Sequence, residues 1–335
     1  MHSNDNVKDI KKILETEVLT GISPNIKEII RCIPQQYISM LEEIRIRLNK
    51  PLMIHSNKFD HMITSSGAIT NSAYDAYIVS KEDCEKTIQL LSNYSIYAIE
   101  EELKNGYITL KGGHRVGIVG RGIIEGGKVK ALKNISGFNI RISRQIIGAA
   151  DNLIKYIIKS DSDIYNTLII SPPQCGKTTL LRDIVRQLSS GIKTYNLKGL
   201  KVGLVDERSE IAGSFQGIPQ NDVGLRTDVL DACPKSYGLI MLIRSMSPQV
   251  IATDEIGSKA DIDAIYEALN AGVRMVTTIH GDNVEDILNK PFINEVVKNR
   301  IFERLVVMSS RYGPGTIEEI TDGISFKVLI DKPFR

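Results

Sequence analysis

Tryptophan is absent from the 335 residues, and aromatic residues make up only 6% of them. Proteins that bind single strands stack bases on aromatic side chains set among basic ones. The basic residues here are not interleaved with aromatics, so stable nucleic-acid binding is not expected. Charge of one sign is also lacking. The formal net charge is +2, which excludes wholesale polyanion binding and leaves at most a local basic patch. Cysteine is sparse: Cys32, Cys84, Cys175 and Cys233 are scattered without a C-x-x-C pair. That argues against structural zinc and a disulfide framework, and for a reducing cytosol. Long apolar runs are missing, and the best, YGLIMLI before Arg244, is far shorter than a membrane span. The first residues, MHSNDNVKDIKKI, hold no apolar core of the signal-peptide kind. The expectation is a cytoplasmic protein whose membrane role, if it has one, is peripheral.

The most informative stretch is TLIISPPQCGKTT at residues 167–179. A β-prone run enters a tight loop, the loop ends in Gly-Lys-Thr, and the amphipathic pattern LLRDIVRQL follows. Strand, loop and helix in this order are the context that a phosphate-binding loop requires. Loop N–H groups and the positive end of the helix cradle phosphates. The nucleotide-contacting set is therefore Ser171, Pro172, Pro173, Gln174, Cys175, Gly176, Lys177, Thr178 and Thr179. Lys177 is placed for the β- and γ-phosphates and the Thr178 hydroxyl for Mg²⁺. Gly176 permits close backbone approach. Cys175 reads as a small loop residue, with a reactive thiolate near the helix start as the alternative. One position departs from the pattern: Ser171 stands where Gly is usual. A required positive φ would disfavour it there.

The length allows two domains. Residues 1–30 hold one or two helical patterns. Residues 38–66 read as strands, with a hairpin turn at Asn49-Lys50-Pro51. Residues 81–94 form a helix with an acidic first turn, and the Gly-rich 106–145 alternates as short strands. This makes an N-terminal α+β domain over 1–147. A linker helix or hinge over 148–163 follows, broken by SDSD at 160–163. From 164 to 335, strands and helices alternate as in a parallel sheet. Its strands are 167–170, 202–205, 249–253, 273–280 and 304–309, with a mixed segment up to Ser245 and a closing hairpin over 316–331.

Two strands end in Asp-Glu: VGLV before Asp206-Glu207 and QVIAT before Asp254-Glu255. One carboxylate of a catalytic pair holds Mg²⁺, and the next activates the attacking water. In RecA-like phosphate-loop ATPases the metal-bearing strand is the third, and the fourth inserts between first and third with a polar sensor at its end. That order assigns Asp254 to Mg²⁺, Glu255 to water activation and His280 to sensing the γ-phosphate. Asp206 and Glu207 become a secondary acidic site, with an ion pair to Arg208 capping the strand as the other reading. His280 as a structural histidine stands beside the sensor reading.

Four elements stand in order: the loop at 171–178, VDERSEIAG at 205–213, SPQVIATDEIG at 247–257 and VTTIHG at 276–281. They resemble the phosphate loop, acidic box, metal-binding strand and histidine box of the secretion ATPase superfamily. GGHRVGIVGR, NIRISRQIIGAAD and DVGLRTDVLDACPK are similar to a branch that serves endospore formation. The resemblance spans about residues 40–330. It implies an α/β fold, a RecA-like phosphate-loop ATPase domain behind an N-terminal α+β domain. It also implies Mg²⁺-dependent hydrolysis of ATP to ADP and phosphate. A homohexameric ring would energise the channel between mother cell and forespore. Membrane proteins of the stage III sporulation channel complex would be its partners, at the inner face of the mother-cell membrane. Arg121 and Arg141, with Arg115, loosely match the superfamily's arginine-bearing strands, where arginines balance charge on the phosphoryl group. Arg226 and Arg244 are further candidates, and solvated strand charge is the alternative for each. A nucleic-acid-associated ATPase and a weakly hydrolysing ATP-binding scaffold are the competing functions.

Overall fold

The computed structural model describes residues 10–290 and 292–335. Residues 1–9, part of the expected N-terminal helical patterns, lie outside them. The chain divides between Arg144 and Gln145 into two compact units.

The first unit is built on seven antiparallel strands. They are β1 (Glu43–Arg47), β2 (Met53–Ser56), β3 (Phe59–Ile63), β4 (Ile69–Thr70), β5 (Tyr107–Thr109), β6 (Arg115–Glu125) and β7 (Lys128–Arg141). Their spatial order is β4-β3-β2-β1-β7-β6-β5. Alternation in β1 buries Ile44 and Ile46 and leaves Glu43, Arg45 and Arg47 half-buried, as a sheet with one covered face requires. The covering core takes Ile26 and Ile30 from helix α1 (Pro24–Arg31) and Cys84 and Ile88 from α2 (Lys81–Leu91). Helix α2 starts at a capping box: Ser80 Oγ accepts the Asp83 N–H, and the Asp83 carboxylate accepts the Ser80 N–H. β7 pairs with β1 only over Gly137–Arg141, and β6 with β5 only over Arg115–Gly117. Beyond these, β6 and β7 pair with each other as a ribbon that turns at Gly126 and Gly127, both at positive φ.

The second unit holds eight strands in the order β10-β9-β11-β12-β8-β13-β14-β15. They are β8 (Thr167–Ser171), β9 (Val202–Asp206), β10 (Thr227–Asp231), β11 (Val250–Thr253), β12 (Arg274–His280), β13 (Arg304–Ser309), β14 (Thr316–Asp322) and β15 (Val328–Ile330). From β10 to β13 all neighbours are parallel, and the closing hairpin is antiparallel. Every residue of β8, β9 and β11 is buried, which explains their unbroken apolar runs. Side chains nonetheless alternate between faces. Ile169, Leu204, Ala252 and Val276 join the core beneath α3 (Lys177–Ser190). Leu168, Val205, Ile251 and Met275 join the opposite core, with α4 (Lys235–Met246) and α5 (Lys259–Asn270). The fourth motif strand, β12, lies between β8 and β11, as the strand-order argument required.

Two expectations need correction. Over 148–163, read from the sequence as a linker helix or hinge, the helix is a single short turn, Ile154–Ile157. Gly148 is left-handed at φ +86, and Ile158 is already extended. Ala150, Leu153, Ile154 and Ile157 are buried in the second unit's core, so their apolar spacing reflects anchoring rather than a free linker. The segment read as mixed contains β10. Its sequence TDVLD is half-buried throughout, too polar to stand out as a strand.

Candidate nucleotide site

The loop between β8 and α3 turns through two left-handed residues, Gln174 (φ 60) and Gly176 (φ 88). Gly176 is the demanding one, since a Cβ there would meet the Gly315 nitrogen at 3.1 Å. Ser171 is not left-handed. It is buried in strand pairing with His280, and its Oγ donates to the Pro172 carbonyl at 2.9 Å. The departure from Gly therefore brings no backbone strain. No side chain caps α3, so its first N–H groups, from Lys177, Thr178 and Thr179, lack an intrahelical acceptor. Such a helix end is an anion site. Cys175 is buried, with Sγ 3.5 Å from the Pro173 carbonyl, and serves as a packed loop residue.

The Ser171–His280 register brings the end of β12 beside the loop. Lys177 Nζ donates to the Ser171 carbonyl at 3.1 Å and to His280 Nδ1 at 2.5 Å. His280 Nε2 contacts Glu255 Oε1, and Glu255 Oε2 pairs with Arg208 at 3.1 Å. A neutral imidazole protonated on Nε2 satisfies both neighbours: it accepts from the ammonium and donates to the carboxylate. Glu255 sits just past β11 at φ +36, and its N–H donates to Thr278 Oγ1 at 2.9 Å. Burial pushes the Lys177 amine down, with the Glu255 carboxylate opposing.

Lys177, Arg208, Glu255, Thr278 and His280 line one cavity of about 390 Å³ with the loop residues Pro173, Gln174, Gly176, Thr178 and Thr179 and with Glu210 and Asp254, whereas Ser171, Pro172 and Cys175, expected to contact nucleotide, are not among its lining residues. That volume suits a small-molecule site. Asp254 is buried and its Oδ1 has no hydrogen-bond partner. Burial pushes its carboxyl up, opposed by Lys235, whose Nζ stands 4.0 Å from that oxygen. An orphaned carboxylate oxygen in a phosphate-facing cavity fits Mg²⁺, which takes one or two protein oxygens and completes its shell from phosphates and water. Thr178 lines the same space. The first unit has a larger groove of about 850 Å³ lined by Ile88, Leu103 and Leu132 among others, and none of the motif residues lies there.

The second acidic pair divides into two roles. Asp206 is buried and accepts three backbone N–H groups, from Glu210 (2.9 Å), Ile211 (3.0 Å) and Ala212 (2.8 Å). Arg182 of α3 clamps the same turn through the carbonyls of Glu210 and Ile211. Glu207 pairs with Lys235 and is not among the cavity-lining residues. In place of a shared acidic site, or of the alternative ion pair to Arg208, Asp206, Glu207 and Arg208 thus have three separate partnerships. Arg121 and Arg141 belong to the first unit and are not among the residues that line this cavity. Arg121 is exposed on the ribbon, and Arg141 Nε lies 3.3 Å from Glu43. Arg226 donates to the Ser189 carbonyl at 3.1 Å. Arg182, Lys235, Glu210 and Thr278 escaped sequence reasoning. Only Lys235 left a trace, a cation set directly after a proline at a helix start.

Burial pushes the Asp206 carboxyl up to about 6, although its N–H donors favour the charged form. A folded value above the unfolded one, about 3.9, means that the folded unit holds this proton more tightly. Its contribution to stability grows as the pH falls from about 6 to about 4. Asp206→Asn should abolish that gain. The wild type's denaturation midpoint should rise relative to the variant's over this window, and a constant difference would contradict the assignment.

A phosphate loop after the first strand, an acidic residue after β11 and β12 inserted between them define a RecA-like phosphate-loop ATPase fold. The Legionella pneumophila ATPase DotB shares that fold at TM-score 0.51 and 15% identity, over 79% of this chain and 71% of that one. The pilus retraction motor PilT with bound ADP does so at 0.52 and 13%, over 85% and 76%. The chain belongs to the family described as sporulation stage III, protein AA, whose model matches residues 12–328. Stage III sporulation protein AA of Bacillus subtilis (strain 168) is 46% identical over 306 residues, 91% of this chain and 94% of that protein. No helix among the described residues is long and apolar enough to cross a membrane.

Proposed function

We propose that this chain is a Mg²⁺-dependent ATPase that acts as a ring motor of the secretion type. The convergence of Lys177, Asp254, Glu255 and His280 on one cavity under a phosphate loop carries this reading. Loop N–H groups and Lys177 bind the β- and γ-phosphates of ATP, and Lys177 exchanges His280 for phosphate oxygens. Glu255 orients the attacking water and takes its proton while the bond from the γ-phosphorus to ADP breaks. His280, between Lys177 and Glu255, couples the γ-phosphate to the base. Thr178 and Asp254 would hold Mg²⁺, which when bound draws off charge that develops on the phosphates. Glu207, tied to Lys235, supports the site from outside the cavity.

In the arrangement described, Lys177, His280, Glu255 and Arg208 are tied to one another. Nucleotide binding breaks the Lys177–His280 tie, and a neighbouring subunit in a ring would complete the site. The family and the motor among the fold relatives support a homohexamer at the cytoplasmic face of the mother-cell membrane. It would energise the sporulation channel together with membrane proteins of the stage III complex. Specific activity should therefore rise with protein concentration, and light scattering should find a ring of about six subunits with ATP. A strictly monomeric chain with concentration-independent turnover would leave a nucleotide-binding scaffold as the better account.

A further inference from the structure

Lys235 stands where local preferences oppose it. It is the first residue of α4, directly after Pro234, and a cation there meets the positive end of the helix dipole. Its side chain is 8% exposed, and a buried ammonium is costly unless carboxylates compensate. Two carboxylates are at hand. Lys235 Nζ contacts Glu207 Oε2 directly and lies 4.0 Å from Asp254 Oδ1. At that separation attraction persists but no hydrogen bond forms, and Asp254 Oδ1 stays buried without a partner. One ammonium faces two carboxylates and is bonded to only one.

We infer that Glu207 holds Lys235 off Asp254 and so keeps Asp254 Oδ1 available to Mg²⁺. The two form a positioning pair that sets the metal affinity of the nucleotide site. This rests on the reading of Asp254 as a metal-holding residue. An ammonium and a divalent cation compete for the same oxygen. When Glu207 loses its charge, Asp254 becomes the stronger attraction for Lys235, and the ammonium shifts onto it at the metal's expense. Glu207 needs no contact with nucleotide to do this, which agrees with its place outside the cavity lining. The other charges acting on Asp254, namely Glu210, Arg208 and Glu255, are untouched by changes at these two positions.

The test is binding of a fluorescent, non-hydrolysable ATP analogue to the full chain, titrated with Mg²⁺ and repeated in EDTA. Glu207→Gln should raise the Mg²⁺ concentration for half-maximal effect about tenfold, the scale of losses from residues that support metal ligands. Binding in EDTA should not change. Adding Lys235→Met to Glu207→Gln removes the competitor and should restore the wild-type Mg²⁺ requirement. Lys235→Gln serves the same purpose should the Met variant not fold. A purely structural pair would give no such rescue. A wild-type Mg²⁺ curve for Glu207→Gln, or a double variant as impaired as the single one, would overturn the inference while leaving the metal assignment standing. Asp254→Asn separates the two levels: an unchanged Mg²⁺ curve there would remove the metal assignment and this inference with it.

Discussion

Glu255→Gln is expected to bind ATP as the wild type does and to hydrolyse it at least about 10²-fold more slowly, the scale of a lost general base. The amide keeps the shape of the carboxylate and one acceptor oxygen, enough for either His280 Nε2–H or Arg208, but it cannot take a proton from water. Lys177→Ala should differ in kind. It removes the positive charge that faces the phosphates, so binding weakens and turnover disappears together. Equilibrium binding and steady-state phosphate release, measured side by side, separate the two outcomes. Normal hydrolysis by Glu255→Gln together with an inactive Glu207→Gln would move the base to the end of β9. The pairing of Glu207 with Lys235 argues against that result.

The resemblance to the secretion ATPases implies that Arg121 and Arg141 balance charge on the phosphoryl group, and on that reading alanine in place of either should depress turnover far more than nucleotide binding. Arginines that balance charge on a transferring phosphoryl group contribute roughly 10³–10⁵ in kcat in other enzymes. Arg121 is exposed on the β6–β7 ribbon, where its guanidinium serves no core. Arg141 is also largely exposed, its side chain 63% accessible beside Glu43. Each can therefore be lost without unfolding the first unit, and a fall in kcat at constant ATP affinity reads out chemistry. Unchanged turnover in both variants would remove them from the mechanism and leave them as solvated strand charges.

Much of the second unit could be read from the sequence because its signals are local. The strand TLIIS, the loop before Lys177 and the helix after it follow one another in the chain, and each obeys its own periodicity. The insertion of β12 between β8 and β11 followed from fold class, and it put His280 at the end of the strand next to β8, where the sequence reading set a γ-phosphate sensor. Other features depend on contacts between distant segments. Asp206 reads in the sequence as half of a secondary acidic site, yet its carboxylate closes a turn through three backbone N–H groups, which no spacing announces. Lys235 reaches Glu207 and Asp254 only because α4 packs against the strand ends that carry them. The strand β10 went unseen because half-burial at a sheet edge permits three polar residues in five. Ala150, Leu153, Ile154 and Ile157 carry a helical spacing, but a short turn anchored in the core uses the same residues. Ser171 shows the converse. A departure from the loop pattern looked consequential until its extended backbone placed the left-handed turn at Gln174 and Gly176.

The central claim is that this cavity cleaves the nucleotide it binds. A rapid-quench experiment with Mg²⁺ and radiolabelled ATP, at protein in excess over nucleotide and at a concentration that favours assembly, tests it directly. Bound ATP should convert to ADP and phosphate in the wild type and remain ATP in Glu255→Gln. Recovery of intact ATP from the assembled wild-type protein after long incubation would contradict it.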